Sequence, residues 1–208
     1  LGLPLTKNAK LIMGTDEESG SEDIAHYYAN HPFAPYALSP DADFPVTNIE
    51  KAHYSPRFSA SWEKTVSPGV RVLALDGGIR VNVAPANCPC LVENADRTQL
   101  EAVLERVSGE TGVSLTAVYE GNTAKITAVG VQAHASTPDE GKNAITATLQ
   151  VLCALPLAQG AAEKTVQQLH ELFPYGDNRG KALGIAMEDA VSGCLTLTFS
   201  MVHLDSTG

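Results

Sequence analysis

The stretch DRTQLEAVLERVSGETGVSLTAVYEGNTAKITAVGV, residues 96–131, decides the fold class of this chain. Asp96, with Gln99 three residues on, makes a capping-box pattern, in which a side chain at the helix start accepts a backbone N–H. Leu100, Val103, Leu104 and Val107 then recur at helical spacing, which puts one apolar stripe against a core. Gly109 and Gly112 mark the end of that helix. Val113 to Tyr119 and Thr123 to Val131 follow as two strands joined by Gly121-Asn122, a hairpin turn by composition.

Working outward, residues 50–90 are rich in β-branched and aromatic types. Turn breaks at Ser67-Pro68-Gly69 and Asp76-Gly77-Gly78 divide them, which predicts a run of strands. Trp62 and Phe58 alternate in that run and are expected to pack. On the other side, a loop from His134 to Pro138 leads to a helix from about Gly141 to Leu155. A further helical stretch runs from Ala161 to Leu172. Leu195, Leu197, Phe199 and Met201 alternate with Thr196, Thr198, Ser200 and Val202, the period of a half-buried strand. From residue 70 the order is β-α-β-β-α, then α and β. That is the split β-α-β arrangement of a two-layer α+β domain, with helices on one face of an antiparallel sheet.

The first fifty residues read differently. Ala9 to Gly14 is a short apolar run that predicts a buried strand. Ser21 is the expected N-cap of a helix carrying Ile24, Tyr27 and Tyr28, which ends near His31-Pro32. Short extended segments, Tyr36 to Leu38 and Phe44 to Val46, flank the loop Ser39 to Asp43. A buried strand near each end needs neighbours, so the sequence is expected to be an internal piece of a longer protein.

Composition narrows the function classes. Of 208 residues, 44% are hydrophobic and 18% charged, an ordinary globular balance. No apolar run approaches the ~18 residues of a spanning helix. Asp and Glu number 24 against 14 Lys and Arg, a net charge of −10, which argues against sequence-independent nucleic-acid binding. Four cysteines without a CxxC pair read as reduced thiols in a cytoplasmic protein. Cys88-Pro89-Cys90 reads as two ordinary thiols in a strand.

Glu17 and Glu18 are the first candidates for chemistry. Adjacent residues at a strand end point to opposite sides, so one carboxylate can hold a metal while the other faces a water. Asp41 lies in a tight Ser-Pro-Asp loop, and a strand-helix-strand unit returns it to the same sheet edge. Divalent cations accept such oxygen ligands. The same residues also have plainer readings. An acidic pair complements the dipole of a helix start, and Asp41 suits a turn.

These residues resemble a family when they are taken together. Gly14-Thr15-Asp16-Glu17-Glu18-Ser19 and Ser39-Pro40-Asp41-Ala42-Asp43-Phe44-Pro45 look like the middle of a two-domain zinc dipeptidase of the dipeptidase V, or Xaa-His dipeptidase, type. Its relatives include the aminoacylases, carnosinases and succinyl-diaminopimelate desuccinylases. Gly130 to Pro138, followed by Gly141-Lys142-Asn143-Ala144, is similar to the lid-domain loop of that family. Gly77 to Val83 with Pro85 is a weaker match.

The resemblance implies an α/β catalytic-domain piece over residues 1–48, phosphorylase/hydrolase-like, and an α+β, ferredoxin-like lid over 49–208. Glu17 would be the general base for a metal-bound water. Glu18 would ligate one zinc and Asp41 the other, with manganese or cobalt as alternative ions. His134 would reach in from the lid as substrate ligand and stabiliser of the oxyanion, and Asn82 would contact substrate. The substrate would be a dipeptide, and neither nucleic acid nor membrane is an expected partner. The family's upstream His-x-Asp segment, bridging Asp, downstream His ligand and lid Arg have no counterpart in these residues. The chain alone is therefore expected to be inactive, since zinc sites use three or four protein ligands. Two other readings stand beside this one: a non-catalytic binding or dimerisation module of a degenerate relative, and an amidohydrolase acting on another N-acyl amino acid. The sequence carries no signal for oligomeric state.

Overall fold

A computed structural model describes residues 6–41, 45–64, 67–205, 207 and 208. The chain divides into two units, Leu1–Asn48 and Ile49–Gly208.

The first unit holds a 3₁₀ turn, Glu17–Ser19, and one helix, α1, Glu22–Asn30. The helix forms where its sequence predicts, but Ser21 does not cap it. Ser21 sits in the left-handed region at φ 57° and its side chain makes no cap bond. Asp16 does that work instead: its Oδ2 accepts from Glu22 N at 3.1 Å and its carbonyl from Ser21 N at 2.8 Å. The buried strand expected over Ala9–Gly14 is absent. Leu11 and Met13 are each 82% exposed. A strand is stabilised by its ladder partners, and no strand lies among the described residues of this unit. Tyr36 to Leu38 is likewise outside any strand. Of the expected extended segment at 44–46, Phe44 lies outside the described residues, as do Ala42 and Asp43 of the preceding loop. The α/β reading of residues 1–48 thus has one helix and no strand among the described residues.

The second unit is the α+β domain. Its elements are β1 (Arg71–Gly77), β2 (Val83–Ala84), β3 (Asn87–Glu93), α2 (Arg97–Thr111), β4 (Ser114–Glu120), β5 (Thr123–Val129) and β6 (Ala133–His134). They continue with α3 (Ala144–Cys153), α4 (Ala161–Leu172), β7 (Glu188–Asp189), β8 (Gly193–Cys194) and β9 (Val202–Leu204). Five strands form one sheet in the order β4-β5-β3-β1-β9, every neighbour antiparallel. Since β5 is antiparallel to both β3 and β4, those two run parallel, with β5 between them. The connection β3-α2-β4 is therefore the split crossover expected from the sequence.

Local chemistry explains the elements. Asp96 caps α2 by accepting from Gln99 N at 2.8 Å, and Leu100, Val103, Leu104 and Val107 are all buried. The helix runs through Gly109 and ends at Gly112, whose φ of 67° suits a residue without Cβ. Alternation places Cys88, Cys90 and Val92 of β3 and Ala124, Ile126 and Ala128 of β5 on the buried face. Helices α2, α3 and α4 pack on that face. A bulge between Val72 and Ala74 in β1 is met by a side chain that periodicity did not single out. Buried Glu163 of α4 accepts from Val72 N at 2.9 Å.

Three sequence expectations shift. Residues 49–64 form no strand, and Tyr54 and Phe58 are exposed, although Trp62 packs on the core. Thr65 and Val66 of that run lie outside the described residues. Strand propensity is realised only against a partner, and the first one is met at Val70. Helix α3 begins at Ala144 rather than Gly141. Lys142 pairs with Val131, and Asn143 Oδ1 accepts from Ile145 N at 2.9 Å and Thr146 N at 3.2 Å. The last strand is also short. Only Val202–Leu204 joins the sheet, beside β1. Leu195 N and Leu197 N donate to Met187 and Asn178 instead, and Phe199 stacks on Phe173 with ring centroids 4.5 Å apart.

Core burial also sets the thiol chemistry. It pushes the Cys88 thiol up to about 12 from 9.0 and raises Cys90 as well. In the unfolded chain these thiols ionise near 9.0 while the folded state keeps its protons. Stability is therefore expected to fall as pH rises from about 9 towards 12. Urea unfolding of the wild type and of Cys88→Ala across that range checks this. The fall should be smaller in the variant, and an equal fall would refute the assignment to burial.

Candidate active-site loop

The loop that carries His134 is built from residue 130 onward. At its base Val131 N donates to Lys142 O at 3.1 Å and Lys142 N to Val131 O at 2.8 Å. Gly130 is required there: a Cβ would lie 1.9 Å from Lys142 O. Gly130→Ala is expected to destabilise the domain by about 1–3 kcal/mol through overpacking. It should also raise amide exchange at Val131 and Lys142. Unchanged protection at those two amides would refute the clamp.

Above the base, β2 and β6 form a two-stranded ribbon in which Val83 opposes His134 and Ala84 opposes Ala133. Ala135 N donates to Asn82 O at 2.8 Å. Two of the sequence-predicted site residues, Asn82 and His134, are thus brought to the same end of one ribbon, although 51 positions separate Val83 from its opposite His134. The segment 198–200 braces it: Ser200 Oγ donates to Val81 O at 2.8 Å, and Thr198 Oγ1 lies 3.4 Å from Ala135 O.

The turn after β6 closes with Thr137 N donating to His134 O at 3.0 Å. His134 is exposed, with Nδ1 2.7 Å from Ser136 Oγ and accepting from Ser136 N at 3.2 Å. The 3₁₀ turn Pro138–Glu140 completes the loop. Its Asp139 is held from a distant segment: Asn178 Nδ2 donates to Oδ1 at 2.8 Å, and Arg179 Nη2 donates to Oδ2. Those bonds, Asn178 first and Arg179 second, hold the Asp139 carboxyl below the usual carboxylate range. Asp177 orders that distant segment by accepting from Lys181 N at 3.1 Å and Ala182 N at 2.8 Å. In the sequence Asp177, Asn178 and Arg179 lie in a loop, with a functional role left open and no pattern to support one. A partner about 40 positions away leaves no periodic trace.

The carboxylate candidates lie in the first unit. Glu17 and Glu18 open the 3₁₀ turn and are exposed, as is Asp41. Among the described residues, no group of three or more His, Cys, Asp or Glu side chains could hold a metal ion. Glu18 and Asp41 have suitable oxygen donors, but the residues present do not make up a complete zinc site. Among the other histidines, His31 stacks on Tyr27, His53 Nε2 lies 2.9 Å from Ser55 Oγ, and His203 lies 3.8 Å from Asp76, while burial lowers the pKa of partly buried His170.

Residues 116–198 match the family model of a peptidase dimerisation domain, from the M20 peptidases. Similar proteins include YtjP of Bacillus subtilis, assigned as a dipeptidase, at 29% identity over 95% of this chain and 42% of that protein. The Beta-Ala-Xaa dipeptidase of Lactobacillus delbrueckii subsp. lactis is 27% identical over 100% of this chain and 43% of its own length. A Staphylococcus epidermidis protein, also assigned as a dipeptidase, is 24% identical over 96% of this chain and 43% of its own. The match to the M20 peptidase dimerisation domain is thus confined to residues 116–198, and the relatives similar to nearly the whole chain are named as dipeptidases. It spans about two-fifths of the length of those relatives. No helix among the described residues is long and apolar enough to cross a membrane.

Proposed function

We propose that this chain is an internal portion of a metal-dependent dipeptidase, with residues 1–48 belonging to its catalytic domain and 49–208 forming its lid. The observation that carries this reading is the β2–β6 ribbon, which sets exposed His134 opposite Val83 and ties Ala135 N to the Asn82 carbonyl, in a chain similar to dipeptidases. The exposed His134 imidazole offers a donor for the carbonyl oxygen of a scissile peptide, where negative charge develops as water attacks, and Asn82 is the proposed further substrate contact. Glu17 is the general base that takes the proton of that water and passes it to the leaving amine. Glu18 and Asp41 would each supply one ligand to a pair of zinc ions, which would lower the pKa of the attacking water, and the further ligands would have to come from outside these residues. Dipeptides with an N-terminal β-alanine are the first substrates to try, after the named relative.

Hydrolysis of a dipeptide panel by the full-length protein, with and without a chelator, tests the proposal. Chelator-sensitive cleavage restored by zinc is the expected result. Failure of a folded, zinc-loaded protein to cleave any dipeptide would favour a binding module or an amidohydrolase with another N-acyl substrate.

A further inference from the structure

We propose that Ser136 is a positioning residue that fixes His134 as the tautomer protonated on Nε2. The inference rests on the reading of His134 as a hydrogen-bond donor to substrate, and it says how that donor is prepared. A neutral imidazole carries its proton on one nitrogen and a lone pair on the other, so the group that faces one nitrogen decides the state of both. Here the group facing Nδ1 is not ambiguous. The backbone N–H of Ser136 can only donate, and it points at Nδ1 from 3.2 Å. A proton on Nδ1 would meet that N–H head-on. Nδ1 must therefore present its lone pair, and the proton resides on Nε2.

The hydroxyl strengthens the same choice. Ser136 Oγ lies 2.7 Å from Nδ1, closer than the backbone nitrogen, and can turn its hydrogen towards the lone pair. Alone, a hydroxyl could serve either tautomer, because it can donate or accept. Beside a backbone N–H that only donates, it joins as a second donor. The turn closed by Thr137 N on His134 O holds Ser136 at the Nδ1 edge of the ring, so both bonds come from one residue two positions on. The opposite edge of the ring, with its Nε2–H, is left directed away from the turn. His134 is exposed, as a group that meets a ligand must be. An Nε2–H that exists before substrate arrives needs no proton rearrangement to donate to a developing oxyanion.

The test reads the tautomer directly and separately from catalysis. The full-length protein labelled with ¹⁵N-histidine is observed by long-range ¹H–¹⁵N correlation at a pH where His134 is neutral, with His134→Gln identifying the resonances. The wild type is expected to show a protonated Nε2 and a bare Nδ1. Ser136→Pro, which removes both the backbone N–H and the hydroxyl, is expected to raise the share of the Nδ1–H form severalfold; Ser136→Ala, which keeps the N–H, should raise it less, and Ser136→Thr should show the wild-type pattern. In the same variants kcat should fall about 2- to 10-fold for Pro, as for loss of one neutral hydrogen bond, and less for Ala, with KM unchanged. A tautomer share unchanged in folded Ser136→Pro, or a wild-type His134 protonated on Nδ1, overturns the assignment whatever the kinetics. A tautomer shift with unchanged kcat upholds the role of Ser136 and overturns instead the reading of His134 as donor.

Discussion

Glu17→Ala in the full-length protein is expected to reduce dipeptide hydrolysis by at least about 10²- to 10⁴-fold, the contribution of a positioned general base. The effect should fall on the chemical step, because the Glu17 carboxylate is the proposed acceptor of the attacking water's proton. The fold should not change. Glu17 is exposed at the start of a three-residue turn, and that turn closes through the backbone, Gly20 N donating to Glu17 O at 3.5 Å. Metal content should also persist, since the ligand role is assigned to Glu18. Turnover measured beside metal analysis separates these roles. A variant that keeps most of its activity removes Glu17 from the mechanism, while one that loses metal along with activity makes it a ligand instead. Glu17→Gln, which retains the shape and loses the basicity, should be as inactive as the alanine variant.

His134→Ala carries the next largest effect, a fall in kcat of roughly 10²- to 10³-fold, as when one oxyanion donor is removed elsewhere. Folding is again preserved, because His134 holds its place in the β2–β6 ribbon through the backbone and its ring is exposed. The split between kcat and KM is diagnostic. A donor that engages the carbonyl oxygen chiefly when it becomes an anion lowers kcat and kcat/KM together. A rise in KM with kcat unchanged would make His134 a ground-state binding residue and exclude the oxyanion role. Steady-state kinetics on one good dipeptide substrate distinguishes the two.

The parts of the fold legible in the sequence are those whose pattern repeats locally. The apolar stripe of α2 and its Asp96 cap follow from the 3.6-residue period. The β4–β5 hairpin follows from alternation on either side of Gly121-Asn122, and α4 occupies Ala161–Leu172 as its periodicity predicts. The segment 195–201 shows the limit. Its alternation is as regular as that of β5, yet most of it stays out of the sheet, because the donors at Leu195 and Leu197 find Met187 and Asn178. Ala9–Gly14 shows the same limit from the other side. Apolar character alone does not make a strand without a chain to pair with.

For the candidate site, the sequence alone supplied the candidate residues and a family resemblance: Glu17, Glu18, Asp41, Asn82 and His134 in their motifs, and the loop around His134 similar to that family's lid loop. Only the tertiary structure decided how the His134 loop is held. It set His134 opposite Val83, next to Asn82 in the chain, through a ribbon of two-residue strands too short to leave a periodic signature. It tied the loop down through Asp139 to Asn178 and Arg179, and it set Ser136 at the Nδ1 edge of the imidazole. The physical reason is that helix and strand periods are properties of neighbouring residues. A hydrogen bond between segments forty or fifty positions apart depends on where the rest of the domain has already placed both ends.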